Sequence, residues 1–189
     1  MDLAPTELWR DDAASLFVLT PDQVGDDYVG WLNDPEIARY LESRFARHDL
    51  ASTRAFVAAQ YANPDVLFLG IRSETLGRHV GNIKLGPVDR RHLTGDIGIM
   101  IGAREAWGRG IATQAIRLLC GIAQHELGLR KVTAGCYAGN VGSERAFERA
   151  GFAIEGRRPA QFLLDCAPED LVQMGRLLAP EWREPDDDA

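Results

Sequence analysis

Trp107-Gly108-Arg109-Gly110-Ile111-Ala112-Thr113 stands between an apolar strand pattern, Asp96 to Ile101, and a long helical one. Gly108 and Gly110 carry no side chain, so a bulky anion can reach the backbone there. The helix start that follows offers unpaired N–H groups and the positive end of its dipole. Together these features suit a phosphate cradle, and Arg109 adds positive charge beside it. A P-loop would need Gly-Lys-Ser/Thr at the helix start, which is absent. A dinucleotide fingerprint would need a third glycine where Thr113 stands, in a unit that opens the fold. This stretch follows about a hundred residues of other elements. Taken alone, two glycines before a helix also suit a plain tight turn.

The helix predicted after the loop runs from about Gly110 to Leu127. Ile111, Ala115, Ile116, Leu119, Ile122, Ala123 and Leu127 recur at its period, and Gly128 fits its end. Before the loop, Ser15 to Thr20 reads as a strand, and residues 22–41 as two short helices broken at Asn33-Asp34-Pro35. Ser52 is placed to cap a further helix with Phe56, Val57 and Tyr61 among its apolar positions. Strands follow at Val66 to Ile71, Val80 to Leu85 and Asp96 to Ile101. Beyond the long helix come a strand, Lys131 to Tyr137, a short helix, Ser143 to Ala150, and closing strands at Phe152 to Glu155 and Asp170 to Leu178. This order predicts one mixed α/β domain over residues 1–189, not an alternating doubly wound sheet. The ends, about 1–13 and 181–189, read as loosely held.

Composition agrees with such a domain. Apolar content of 46% and charged content of 26% are those of an average globular protein. No apolar run reaches the ~18 residues of a membrane span, and Met1-Asp2-Leu3-Ala4-Pro5 has no basic leader pattern. The expectation is a soluble, cytoplasmic protein without membrane partners. Net charge is −7, and the stretch from Glu181 holds five acids against one base. That balance argues against nucleic acid and suits a cationic acceptor. Cys120, Cys136 and Cys166 are too scattered for a disulfide framework or zinc site, and the first two lie in apolar stretches. The four histidines have no metal-ligand spacing, so no metal is expected.

A second motif changes the weight of the first. Asn140-Val141-Gly142-Ser143 opens a short helix that contains Phe147 and ends at Gly151-Phe152. Ser143 is placed to cap it. With both motifs about 30 residues apart, the chain resembles the GNAT superfamily of N-acetyltransferases, in its RimJ/RimL-like branch. Trp31 to Glu36, Gly81 to Leu85 and Asp96 to Ile99 look like the branch's first-helix segment and central hairpin.

The resemblance implies a mostly antiparallel mixed sheet in which two central parallel strands, Ile97 to Ile101 and Lys131 to Tyr137, splay apart between flanking helices. It implies acetyl-CoA as cosubstrate. Pantetheine would pair with backbone near Ile99, Met100 and Ile101, and pyrophosphate would rest on amides of the loop, Trp107 to Thr113. Asn140, Ser143 and Phe147 match the second cofactor segment. Trp107 departs from the Gln or Arg frequent at its position, but amide contacts do not need that side chain.

The implied reaction is direct acetyl transfer to a neutral primary amine. Many relatives carry a tyrosine acid where this chain has Phe147, which cannot donate a proton. Ser143 is the expected substitute. Asp96 is the expected base, with His79 and His92 as alternatives. Trp31, Asn33, Tyr40, Glu42 and Arg44 are candidates for the acceptor pocket, and Tyr137 could line it. The acceptor is a small amine, such as an amino sugar, or a protein N-terminus, and the protein a monomer or homodimer. The rival class is a non-catalytic sensor or scaffold that holds acyl-CoA in the same fold.

Overall fold

The computed structural model describes residues 9–178. The residues before and after, which hold most of both stretches read as loose ends, lie outside the described residues. Trp9–Arg10 (β1) pairs with Ala14–Val18 (β2), so part of the stretch before Ala13 is held in the sheet. Leu67–Ser73 (β3), Arg78–Asp89 (β4) and Thr94–Ile101 (β5) continue an antiparallel meander. Lys131–Tyr137 (β6) joins β5 in parallel. Ala153–Leu164 (β7) and Ala167–Leu177 (β8) form a hairpin, and β8 is inserted between β6 and β7. The sheet order is β1-β2-β3-β4-β5-β6-β8-β7, with β5–β6 as its one parallel pair among the described residues. The predicted mixed, mostly antiparallel sheet is therefore observed.

Alternation along the strands separates two faces. Leu16, Leu69, Ile83, Leu85 and Ile97 are 0–1% exposed on one face. Burial of each such side chain is worth roughly 1.5–3 kcal/mol. Ile111–His125 (α3) lies across β2, β4 and β5 on this side, with Val141–Arg149 (α4) next to it. Phe17 and Phe68 mark the other face, covered by Asp26–Asn33 (α1) and Leu50–Ala62 (α2).

The structure departs from expectation where side chains override propensity. Residues 22–41 hold one α-helix, not two. Beyond α1 the Asp34 carboxylate accepts from Glu36 N (2.9 Å) and Ile37 N (3.3 Å) and pairs with Arg104, so the chain makes single turns instead of a helix. Asp49, not Ser52, caps α2. Its carboxylate accepts from Ser52 N at 2.7 Å, and the Ser52 hydroxyl closes the capping box. Of the apolar positions named for α2, Val57 is buried, while Phe56 and Tyr61 are 46% and 53% exposed. The last strands are longer than predicted. Pro159 interrupts the β pattern, but β7 is an edge strand, where the missing N–H costs nothing. Register shifts on both sides of Arg157 and a positive φ at Ala160 absorb the irregularity.

Candidate functional site: a cleft between β5 and β6

The parallel pair is short. Only Thr94, Gly95 and Asp96 pair with Lys131, Val132 and Thr133. Beyond that point β5 stays with β4 up to Ile101↔Gly81, and β6 stays with β8 up to Tyr137↔Leu171. The two strands therefore diverge, and backbone groups on one edge of Ile97 to Ile101 have no strand partner. Such groups need a partner other than bulk apolar surface.

The glycine loop stands at the open end of this cleft. Gly108 and Gly110 have φ of +71° and +77°, the left-handed region that favours glycine. A Cβ at either position would meet nothing within 4 Å. Conformation, not space, requires glycine there, and the approach from outside is open. Gly110 is the N-cap of α3 without a side-chain cap. Gln114 N, bonded to Gly110 O at 3.1 Å, makes the first helical hydrogen bond, so the amides of Ile111, Ala112 and Thr113 have no helical partner. Trp107 folds back and donates its indole N–H to Ile101 O at 2.8 Å, which ties the loop to the end of β5. These features fit a diphosphate followed by an amide-bearing arm.

Asn140, not Ser143, caps α4. Its Oδ1 accepts from Ser143 N at 3.2 Å. Ser143 is half-buried in the first turn, with its hydroxyl beside the Cys136 thiol of β6. Burial pushes the Cys136 and Cys120 thiols up to about 11, and both are free, buried side chains, as their apolar surroundings predicted. Phe147 is fully buried and meets Phe152 edge to face at 5.0 Å. It is a core residue and does not line the cleft.

On the face shared with α1, the splay is bare on its β5 side. Gly98 of β5 and Gly135 of β6 both lie here; a Cβ at Gly98 would meet nothing within 4 Å, whereas one at Gly135 would meet the Leu171 side chain at 3.0 Å. Asp96 stands at the vertex, where its Oδ1 accepts from the Thr133 hydroxyl at 2.9 Å. Its surface is open to solvent, yet surrounding protein desolvates the carboxylate enough to push its pKa up. The Thr133 hydrogen bond and Lys84 oppose this in part.

Tyr137 stands at the opposite end, about 13 Å along the strand from Thr133 at ~3.3 Å per residue. Its hydroxyl donates to Glu42 Oε1 at 2.5 Å, and its ring stacks on Phe162 at 4.2 Å. Burial, and then Glu42, raise its pKa. Tyr40 lies against the Tyr137 ring and donates to Gly139 O at 3.1 Å. Arg44 sits over the Tyr137 ring and donates to Leu41 O and Leu163 O. Tyr40, Glu42, Arg44 and Tyr137 thus share one cluster.

Trp31 and Asn33 do not belong to it. Trp31 is 7% exposed and packs flat on Gly102, where any Cβ would fall about 2.0 Å from the indole. Asn33 donates to Val29 O and His48 O and accepts from His48 N, so its amide is a bracket for the loop after α1. His79 packs against Trp31, away from this cluster. It is enclosed by Phe17, Tyr28 and Trp31, burial lowers its pKa, and Nε2–H donates to Gly81 O and Asn82 Oδ1. His92 is exposed in the turn before β5.

The sequence reading missed Phe162 and Glu169, which belong to the β7–β8 hairpin. Glu169 Oε1 accepts from Gly139 N at 2.5 Å and fixes the turn after β6. The alternation of β8 upstream of Asp170 was the only signal, and Pro168 obscured it.

Among the described residues no three His, Cys, Asp or Glu side chains could hold a metal, and no helix is long and apolar enough to cross a membrane.

A mixed sheet whose central parallel pair opens onto a glycine-rich helix start defines an acetyltransferase fold. The chain belongs to the GNAT acetyltransferase domain family, whose model matches residues 16–153. It is similar to "Probable N-acetyltransferase YjcK" of Bacillus subtilis, with 39% identity over 46% of this chain and 48% of that one. It is also similar to "Putative ribosomal N-acetyltransferase YdaF" of the same organism, with 34% identity over 65% of each. The matches therefore span about half to two thirds of these relatives. Among solved structures, a probable acetyltransferase superposes with a TM-score of 0.78 at 25% identity, covering 93% of this chain and 99% of that one. RimL, a ribosomal L7/L12 alpha-N-protein acetyltransferase in complex with coenzyme A, gives 0.80 at 15% identity, covering 90% and 98%. A spermidine N-acetyltransferase from Vibrio cholerae, in complex with CoA and spermine, gives 0.76 at 19% identity, covering 89% and 97%.

Proposed function

We propose that this chain is an acetyl-CoA-dependent N-acetyltransferase acting on a primary amine, with a small amine favoured over a protein N-terminus. The divergence of β5 and β6 after Asp96 carries this reading. It leaves the β5 edge and the α3 amides available on one side, and the open surface at Gly98 on the other. Acetyl-CoA supplies an activated acetyl thioester, whose C–S bond breaks as the new C–N bond forms.

The chain's own groups do the rest. Amides of Gly108 to Thr113 bind the diphosphate, and free groups of Ile99 to Ile101 align the pantetheine arm. Asp96, held by Thr133, accepts the proton that an ammonium must lose before the amine can attack. The Ser143 hydroxyl serves the sulfur as hydrogen-bond donor. Much of the rate arises from positioning. The Glu42 and Glu169 carboxylates beside the Tyr40, Tyr137 and Phe162 rings, about 13 Å along β6 from the Asp96 end, suit the distal cationic group of an extended acceptor, which would share Glu42 with Arg44. The names of the relatives support both acceptor classes, one being a spermidine enzyme and two ribosomal ones.

Thiol release from acetyl-CoA against a panel of amines tests the reading. Release with diamines or amino sugars is the expected result. Stabilisation by CoA without turnover on any amine or peptide would move the chain to the sensor class. Ser143→Ala is expected to lower kcat about tenfold with CoA affinity kept. An unchanged kcat would remove Ser143 from the mechanism. Glu42→Gln keeps the shape of the cluster and removes its charge. It is expected to raise the amine KM roughly tenfold, in line with ~1.5 kcal/mol for a charge-assisted hydrogen bond, while the acetyl-CoA KM stays fixed. Equal KM values for parent and variant would place the acceptor elsewhere.

A further inference from the structure

Helices α3 and α4 each follow one of the two parallel strands, so they run in the same direction. Their C-terminal ends lie together, opposite the end that carries Gly110 and Asn140. There, between the second half of α3, the end of α4 and β8, the surface holds a cleft of about 480 Å³. Arg117, Gln124, His125, Arg149, Gly151 and Arg176 line it, with no carboxylate among the lining residues. Arg117 stands about 9 Å along α3 from Ile111 at ~1.5 Å rise per residue, so the cleft is separate from the glycine loop.

Among the described residues, none of the three arginines is in an ion pair, although eight other basic side chains are. That is unusual placement in a chain of net charge −7. Two of the guanidiniums are held rigidly. Arg117 Nη2 donates to Arg149 O and Arg176 Nη1 donates to Ala150 O, both at 2.6 Å. Each bond uses one of five N–H groups and anchors the planar fork against the end of α4. Arg176 also reaches the Cys120 thiol, and the other donors have no partner among the described residues. Arg149 is exposed, and its guanidinium makes no hydrogen bond among the described residues. Three fixed or clustered guanidiniums without a counter-charge are the donor set that phosphate and carboxylate groups select.

We propose that this cleft is a second anion-binding site, for a ligand that carries phosphate or carboxylate groups. It is independent of the acetyl-transfer reading. Two sources offer that chemistry. One is a phosphorylated small molecule from solution. The other is the chain's own acidic stretch from Glu181 to Asp188, which begins five positions after Arg176.

Calorimetric titration of the full chain with inorganic pyrophosphate, at saturating coenzyme A so that the glycine loop is filled, tests the proposal. The expected result is one binding event, weakened at least tenfold by Arg149→Glu with melting temperature and acetyl transfer unchanged. A second variant neutralises the acids at 181, 184, 186, 187 and 188 as their amides. Binding that appears or tightens only in this variant assigns the site to the chain's own acids. Equal binding in parent and neutralised chain assigns it to a soluble anion. No pyrophosphate binding in either chain, or equal binding in parent and Arg149→Glu, would overturn the proposal.

Discussion

Asp96→Asn is expected to lower kcat by about 10²–10³-fold while leaving coenzyme A affinity unchanged. The amide keeps the size of the side chain and its hydrogen bond with Thr133, and loses only the ability to take a proton. In the parent protein, desolvation holds the Asp96 pKa above the usual 3.8. The acid limb of the kcat/KM profile should accordingly lie above that value and vanish in the variant. Stability moves the other way. A carboxyl whose pKa is raised on folding favours the folded state most when protonated, below the unfolded value, and this contribution fades as pH rises through the folded value. At neutral pH the carboxylate is a burden on the fold, so Asp96→Asn should melt at the same temperature or slightly higher. Loss of turnover without loss of stability is the signature of a base. A variant that retains full kcat would exclude Asp96 and leave proton removal to water.

The second large effect concerns the loop. Gly110→Val puts a β-branched residue at φ +77°, where the left-handed region costs an L residue ~1–2 kcal/mol. Nothing blocks the new side chain sterically. The backbone relieves the strain by leaving that region, and the amides of Ile111 and Ala112 then turn away from their common target. With one or two charge-assisted hydrogen bonds lost at ~1.5–3 kcal/mol each, kcat/KM for acetyl-CoA should fall about 100-fold. The effect should fall on KM and leave amine saturation intact. Thermal shift with coenzyme A gives the parallel readout, since stabilisation by a ligand follows its affinity. An unchanged response to coenzyme A would mean that Gly108 to Thr113 form a turn and nothing more.

The periodicity of α3, the glycine loop before it and the turn at Asn140 were legible from residue order because each depends on local rules. Backbone conformation at Gly110 and side-chain repetition from Ile111 onwards need no distant partner to be recognised. The same local reading failed where competing side chains decide. Ser52 and Ser143 looked like helix caps, but Asp49 and Asn140, three residues earlier, reach the amides first. The supposed second helix after Asn33 lost to the bond between Asp34 and Arg104, 70 residues away.

The cluster around Tyr137 was the least legible. Trp31 and Asn33 have the chemistry of a binding site, yet Gly102 and the His48 backbone claim them for packing. Glu42 meets Tyr137 across 95 residues, and no spacing rule forecasts that pair. The sequence by itself determined the class of fold and the place of the glycine loop before α3, because glycine spacing and helical period are properties of short segments. The tertiary structure alone decided which side chains face the cleft between β5 and β6, because that depends on where two strands stop pairing and on which loops pack over the gap.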